Sequence, residues 1–257
     1  MHMHTVFSTK RNIARMISSA TRLLQPTPLS GQRILAYHSI DNLLVDGDIN
    51  NIYSLQRPEF LKQIDSVQRF ADEHGFSFAP FGKPKEKTIC ITFDDGYSDV
   101  LSVAAPVLSK LKIPFHVFVS LQKMAAGDVR YLSKAEIKEI HSIDFANVGA
   151  HGYSHTSLTS ISRESAKFEL ARSRSELEDL LSSPIDSMSY PFGHTNNGIT
   201  QIAQQVGFKY AACSKWGFTT EISHPLMQSR IDMWAGDTER DVQLKLYGAW
   251  NWFRHLT

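Results

Sequence analysis

The sequence predicts an α/β protein built on a parallel sheet, and three observations carry that prediction. From Gly31 onward, short apolar runs bounded by turn residues alternate with segments of helical periodicity, the pattern of strands joined by helical crossovers. The chain has 257 residues, 42% of them hydrophobic and 21% charged, which is enough apolar material to bury a full core and excludes a disordered or fibrous protein. Neither a low-complexity linker nor an internal repeat divides it, so residues 31–257 read as one domain behind an N-terminal segment, residues 1–30. Alternation alone fits an open sheet or a closed barrel.

Arg33 to His38 reads as the first buried strand, followed by a polar loop through Asp41–Asn51. In the next segment Phe60, Ile64, Val67 and Phe70 recur at helical spacing, with Pro58 near the start. Phe76–Phe78 reads as a short strand, Lys83–Lys87 as a solvated turn, and Thr88–Phe93 as a strong buried strand that stops at Asp94-Asp95-Gly96. A helix carrying Val103, Val107, Leu108 and Leu111 comes next, then a strand over Pro114–Val119. Ser133 and Glu136 form a capping-box pattern at the next helix. Asn147–Ala150 is a strand running into His151, and Ser162–Leu181 a long helix with Glu and Arg at neighbouring turns. Met188–Tyr190 is a strand ending at Pro191, a helix spans about 197–206, and Tyr210–Cys213 is a strand. Asp237–Thr257 reads as a helix whose Trp250, Trp252 and Phe253 seal the barrel or make an oligomer contact, ahead of forming a sugar platform.

Charge and cysteine usage narrow the function classes. Lys and Arg number 27 against 26 Asp and Glu, a net +1, so no basic excess exists to drive binding to nucleic acid. Cys90 and Cys213 are the two cysteines, too few for a Cys-rich zinc motif and expected as buried thiols. Lys10, Arg11, Arg15 and Arg22 alternate with Ile13, Met16, Ile17, Leu23 and Leu24, an amphipathic helix that packs on the body or makes weak contact with a membrane surface. It lacks the apolar core of about 7–15 residues that a secretory signal needs, and no stretch approaches the ~20 apolar residues of a membrane span. The expectation is a cytoplasmic protein.

Ligands in parallel α/β folds bind beyond the carboxyl ends of the strands, and three such ends are unusually polar here. Thr92-Phe93-Asp94-Asp95-Gly96-Tyr97 places adjacent carboxylates after an apolar strand; on extended backbone they point to opposite sides, so one holds a metal while the other takes a proton. His151 and His155 stand four residues apart, a spacing that lets two imidazoles converge on one ion from a helical turn or a compact loop. Tyr190-Pro191-Phe192-Gly193-His194 offers a groove wall and backbone N–H groups near a bend. Together they make a catalytic metal site with open positions, because a structural zinc would need a fourth protein ligand.

With these residues in place, the chain resembles the polysaccharide deacetylase family, the NodB-homology domain of carbohydrate esterase family 4. Thr92–Gly96 is similar to the family's first motif, His151/His155 to its second and Tyr190–Gly193 to its third, over about Ile34 to Met233. Ala36–Ile40 and Phe60, Gln63, Phe70, Gly75 and Phe76 further resemble members acting on exopolysaccharide or surface polysaccharide. The resemblance implies a distorted (β/α) barrel of about seven parallel strands. It implies Asp94 as general base, Asp95, His151 and His155 as ligands of one divalent metal, and Tyr97, Tyr190, Pro191, Phe192, Gly193 and His194 along the substrate. Zinc is the expected ion, with nickel, cobalt or iron also suited to the donor set.

Departures from the family pattern accompany these matches. Gly152 stands where the second motif usually has a Ser or Thr that braces the loop, and Met188 and Ser189 stand where an Arg often orients the base. Arg230 is the substitute for that Arg, against a surface ion pair with Asp232. The late His that acts as general acid has no clean copy; His38 is preferred, ahead of His194 and His224. The expected function is removal of an acetyl group from an N-acetylated sugar of a surface polysaccharide, presented as a sugar, oligosaccharide or lipid-linked precursor. The alternatives are an impaired, deacetylase-like binding or scaffold protein and a deformylase of a lipid-linked amino sugar.

Overall fold

A computed structural model of the chain describes residues 29–41, 45–48 and 50–252; the amphipathic segment through Pro28 and Phe253 lie outside them. In chain order the elements are β1 (Gln32–Tyr37), β2 (Ser39–Ile40), β3 (Ser54–Leu55), α1 (Arg57–His74), β4 (Ser77–Phe78) and β5 (Thr88–Phe93). A π-helical turn over Val100–Ala104 leads into α2 (Ala105–Lys110), followed by β6 (Phe115–Val119), α3 (Leu121–Ala125), α4 (Lys134–His141) and β7 (Ala146–Ala150). The remainder is α5 (Arg163–Leu181), β8 (Ser187–Ser189), α6 (Asn197–Val206), β9 (Tyr210–Trp216), β10 (Gln228–Asp232) and α7 (Glu239–Leu246).

Seven strands close into a parallel barrel in the order β1-β10-β9-β8-β7-β6-β5, with β5 pairing back to β1 from Gln32↔Thr88 to Tyr37↔Phe93. Strands flanked by helices on one side and by the barrel interior on the other are apolar throughout, and β1 and β5 are buried along their whole length. The helices start where the sequence provides caps. Glu59 returns its carboxylate to the Gln56 N–H, Ser133 and Glu136 cap reciprocally, and Ser162 and Asn196 accept from Ser165 and Ile199.

The strand count agrees with the sequence, but its membership does not. Residues 77–78 form β4, which pairs with β5 outside the closed ring, while β10, which has no apolar run, closes the barrel between β9 and β1. Gln228 and Arg230 are both buried, with the Gln228 amide N–H on the Gly82 carbonyl and the Arg230 guanidinium on Asp94, so this strand hides polar side chains and its sequence lacks the apolar signature of a barrel strand. The C-terminal helix is shorter than expected: α7 stops at Leu246, and Gly248 takes φ 80°. Trp250 is nonetheless fully buried, in a cluster with Trp234 (5.6 Å) and Trp216 (6.0 Å). The Lys245 ammonium lies 4.1 Å from the Trp234 ring centre and donates to the Asp232 carbonyl at 2.8 Å and to Asp237 at 2.5 Å. Cys90 and Cys213 are buried free thiols. Among the described residues no helix is long and apolar enough to cross a membrane.

Candidate active site

β5 delivers the two carboxylates. The Asp94 N–H bonds to the Tyr37 carbonyl at 2.9 Å, which continues the ladder, and the chain then turns left-handed at Asp95 (φ 70°) and Gly96 (φ 78°). A Cβ on Gly96 would lie 2.9 Å from Val119 Cγ1, so this turn requires glycine. The turn corrects the expectation of opposed side chains: Asp95 is not extended, and Asp94 and Asp95 both line one cavity of about 480 Å³. They nonetheless face different partners.

Asp95 Oδ1 lies 2.8 Å from His155 Nε2 and 3.4 Å from His151 Nε2, and the ligand atoms of the three side chains fall within 4.8 Å of one another. The short contact lacks hydrogen-bond geometry, and Asp95 Oδ1 is a buried oxygen with no hydrogen-bond partner among the described residues. A buried, orphaned carboxylate oxygen opposite two imidazole nitrogens is what a divalent cation satisfies. His151 Nδ1 lies 2.8 Å from the Ser189 carbonyl; a carbonyl only accepts, so Nδ1 carries the proton and Nε2 keeps its lone pair for a metal. The two histidines sit on a compact loop, with Gly152 (φ 69°) and His155 (φ 60°) both left-handed. The residues present fit one divalent ion with open positions.

Asp94 is held by Arg230. Nη1 donates to Oδ1 at 2.8 Å and Nη2 to Oδ2 at 2.7 Å, with both side chains 4% exposed. Ser189 Oγ adds a third bond, to Oδ2 at 3.2 Å. Burial pushes the Asp94 carboxyl up, but the Arg230 guanidinium, with His151 and His38, outweighs it and holds the group well below the usual carboxylate range. A carboxylate offers about four lone-pair sites, and Oδ1 spends only one of its two on Arg230. Arg230 thus stands where the sequence analysis placed a substitute Arg, rather than in a surface pair with Asp232.

The remaining expected residues divide into those in the cavity and those behind it. His38, Phe192, Gly193 and His194 line it. The His38 ring packs at 4.5 Å on Tyr53, and its Nδ1 is buried without a hydrogen-bond partner among the described residues. Phe192 is 55% exposed at the mouth, its ring 4.7 Å from that of His155. Tyr97, Tyr190 and Pro191 are buried and do not line the cavity. The Tyr97 hydroxyl accepts from the Asp46 N–H at 3.1 Å, and that of Tyr190 donates to the Leu226 carbonyl at 3.0 Å. These residues stand behind the cavity lining. His224 lies apart from the cavity.

Sequence reasoning missed several cavity neighbours. Asp232 lines the cavity two residues after Arg230 on β10; burial raises its carboxyl, against Arg230 and His38. The period-two spacing from Arg230 was a usable signal. Lys123 from α3, 3.6 Å from Asp95 Oδ1 and 3.9 Å from Asp46 Oδ2, left no signal, because it comes from a short helix outside the three strand ends.

A profile of the polysaccharide deacetylase family matches residues 81–211, half of the chain, and spans Asp94, Asp95, His151, His155 and the Tyr190–Gly193 bend. The chain belongs to the polysaccharide deacetylase family. YxkH of Bacillus subtilis (strain 168), assigned by name to the polysaccharide deacetylases, is 26% identical over 200 residues, 73% of this chain; the chain spans 64% of the length of that relative. Two solved structures share the fold. Streptococcus pyogenes deacetylase PplD in complex with acetate superposes with TM-score 0.71 at 20% identity, over 86% of this chain and 99% of that one. IcaB from Ammonifex degensii superposes with TM-score 0.67 at 22% identity, over 85% and 97%.

Proposed function

We propose that this chain is a metal-dependent N-deacetylase acting on an acetylated amino sugar of a surface polysaccharide or its precursor. The observation that carries the reading is the presence in one cavity of the Asp95–His151–His155 donor set and the Arg230-held Asp94 carboxylate. A divalent ion bound to that set supplies Lewis acidity toward an acyl oxygen and acidifies water, and zinc suits the donors. Asp94, ionised and with a lone pair of Oδ1 open, takes the proton from the attacking water. Arg230 keeps that carboxylate oriented and charged. The backbone N–H at the Phe192 bend donates to the oxyanion of the tetrahedral intermediate, and His38, across the cavity, donates a proton to the leaving amine. Phe192, Gly193 and His194 bound the sugar. The acetate in the PplD structure supports acetyl as the group removed.

The impaired-scaffold alternative drew on Gly152, an absent orienting Arg and a missing late His; the contact of Arg230 with Asp94 speaks to the second of these. The test is acetate release from N-acetylglucosamine oligosaccharides by the zinc-loaded chain, with N-formyl substrates in parallel. We expect acetate and free amine in equal amounts, a loss of at least about a hundredfold in Asp94→Asn and His38→Ala, and loss of bound zinc in the His151→Ala/His155→Ala double variant. No zinc uptake by the wild type, or full activity of Asp94→Asn, would overturn the assignment, and turnover of formyl alone would favour the deformylase.

A further inference from the structure

The two histidines of the site are held in different ways. His151 is fixed by the barrel, its N–H on the Val119 carbonyl at 2.9 Å and its Nδ1 on the Ser189 carbonyl at 2.8 Å. His155 lies four residues further on, past left-handed Gly152, and is itself left-handed with φ 60°. Such a conformation is unfavourable for a non-glycine residue and persists only where the surroundings over-determine it. Residues 152–154 therefore decide where the His155 imidazole points.

A carboxylate from another element grips that stretch. Glu169, on α5, accepts the Tyr153 N–H at 3.1 Å and the Ser154 N–H at 2.9 Å on one oxygen, and the Ser154 hydroxyl at 2.7 Å on the other. Consecutive N–H groups converging on one anion form a nest, in which charge-assisted bonds fix the backbone. The opposite side of the same peptide is also tied down, because the Tyr153 carbonyl accepts from Gln122 N at 2.9 Å and from Ser120 Oγ at 3.2 Å. Gly152 has no side chain with which to brace the loop, and a Cβ there would lie 3.0 Å from Pro191 Cγ.

We propose that Glu169 is a positioning residue for the metal site: its carboxylate, clamped on the Tyr153–Ser154 backbone, sets the direction of the His155 imidazole and so the affinity for the ion. The role rests on the metal-site reading given above. Outer groups that orient metal ligands typically contribute about 10–100-fold in affinity. Glu169 touches neither the cation position nor the substrate cavity, so its loss acts on the ion first.

The experiment is a competition titration of zinc against a chromophoric chelator, with cobalt absorption as a second readout, on wild type, Glu169→Ala, Glu169→Gln and Ser154→Ala. Glu169→Ala should weaken zinc about 10–100-fold and alter the cobalt spectrum, while circular dichroism shows an intact fold. Glu169→Gln, which keeps an accepting oxygen but loses the charge, and Ser154→Ala, which loses one of the contacts, should fall between it and wild type. Zinc affinity within about twofold of wild type in Glu169→Ala would overturn the proposal; if that variant fails to fold, the same result in both milder variants would do so. A wild type that takes up no zinc would overturn the metal-site reading and this role with it, whereas tight wild-type binding unchanged in the variants would remove Glu169 alone.

Discussion

Replacing Arg230 with Met keeps most of the side-chain volume and deletes the guanidinium, leaving the Asp94 carboxylate buried beneath one serine hydroxyl. Breaking a buried ion pair from one side costs about 3–5 kcal/mol, because the surviving charge keeps its desolvation penalty. For a domain of this size each kcal/mol moves the melting temperature by about 2–4 °C, so the drop should be about 6–20 °C at neutral pH. Its pH dependence identifies the cause. In the wild type the folded-state pKa of Asp94 is depressed, so its stabilisation is present above the unfolded value of about 3.9 and is lost only as pH falls through the lower folded value. In Arg230→Met burial dominates and the folded pKa lies above the unfolded one. Asp94 then destabilises progressively as pH rises between the two. The gap in melting temperature should therefore widen between pH 4 and pH 7, followed by circular dichroism at each pH, and the acid limb of the deacetylation rate should move upward. Adding Asp94→Asn to Arg230→Met removes the stranded charge and should recover part of the stability. A gap under about 2 °C, or one constant with pH, would refute the reasoning.

Ser189→Ala removes the 3.2 Å bond to Asp94 but leaves the carbonyl that accepts from His151. A bond of about 1 kcal/mol corresponds to roughly a fivefold fall in kcat, with zinc affinity unchanged by titration. Gly193→Ala should act on substrate binding: Gly193 has φ 66°, and a Cβ there would lie 2.1 Å from Ser214 Cβ and 2.3 Å from Ser214 N. The bend carrying Phe192 has to shift, so steady-state kinetics should show KM rising more than kcat falls, together with a lower melting temperature.

Most of the barrel was legible because parallel barrel strands announce themselves as apolar runs that end in polar residues. Thr88–Phe93 followed by two aspartates marked both a buried strand and the carboxylates at its end. The spacing of His151 and His155 brought two imidazoles together but left a helical turn and a compact loop equally open, and it is the left-handed Gly152 and His155 that make it a loop. One strand was hidden by its composition. β10 carries Gln228 and Arg230 into buried positions where their N–H groups find acceptors, so the strand that closes the barrel has the composition of a loop. Tyr97 and Tyr190 belong to motif-bearing segments, yet both are buried and direct their hydroxyls to backbone groups. Spacing shows which residues gather at a strand end, but only packing decides which of them face the opening.

The pairing of Asp94 with Arg230 spans 136 residues of chain. A chain emerging from the ribosome presents its N-terminal part first, so both aspartates and both histidines are out before the guanidinium that holds Asp94 has been made. Contacts of such long sequence separation also form late in folding, since the closure entropy of a long loop has to be met before they contribute. Nascent or truncated chains ending before β10 would lack both the last staves of the barrel and the counter-charge of Asp94. On the proposed mechanism the strand that finishes the barrel also completes the pairing of the base, so a chain lacking β10 should show no deacetylation.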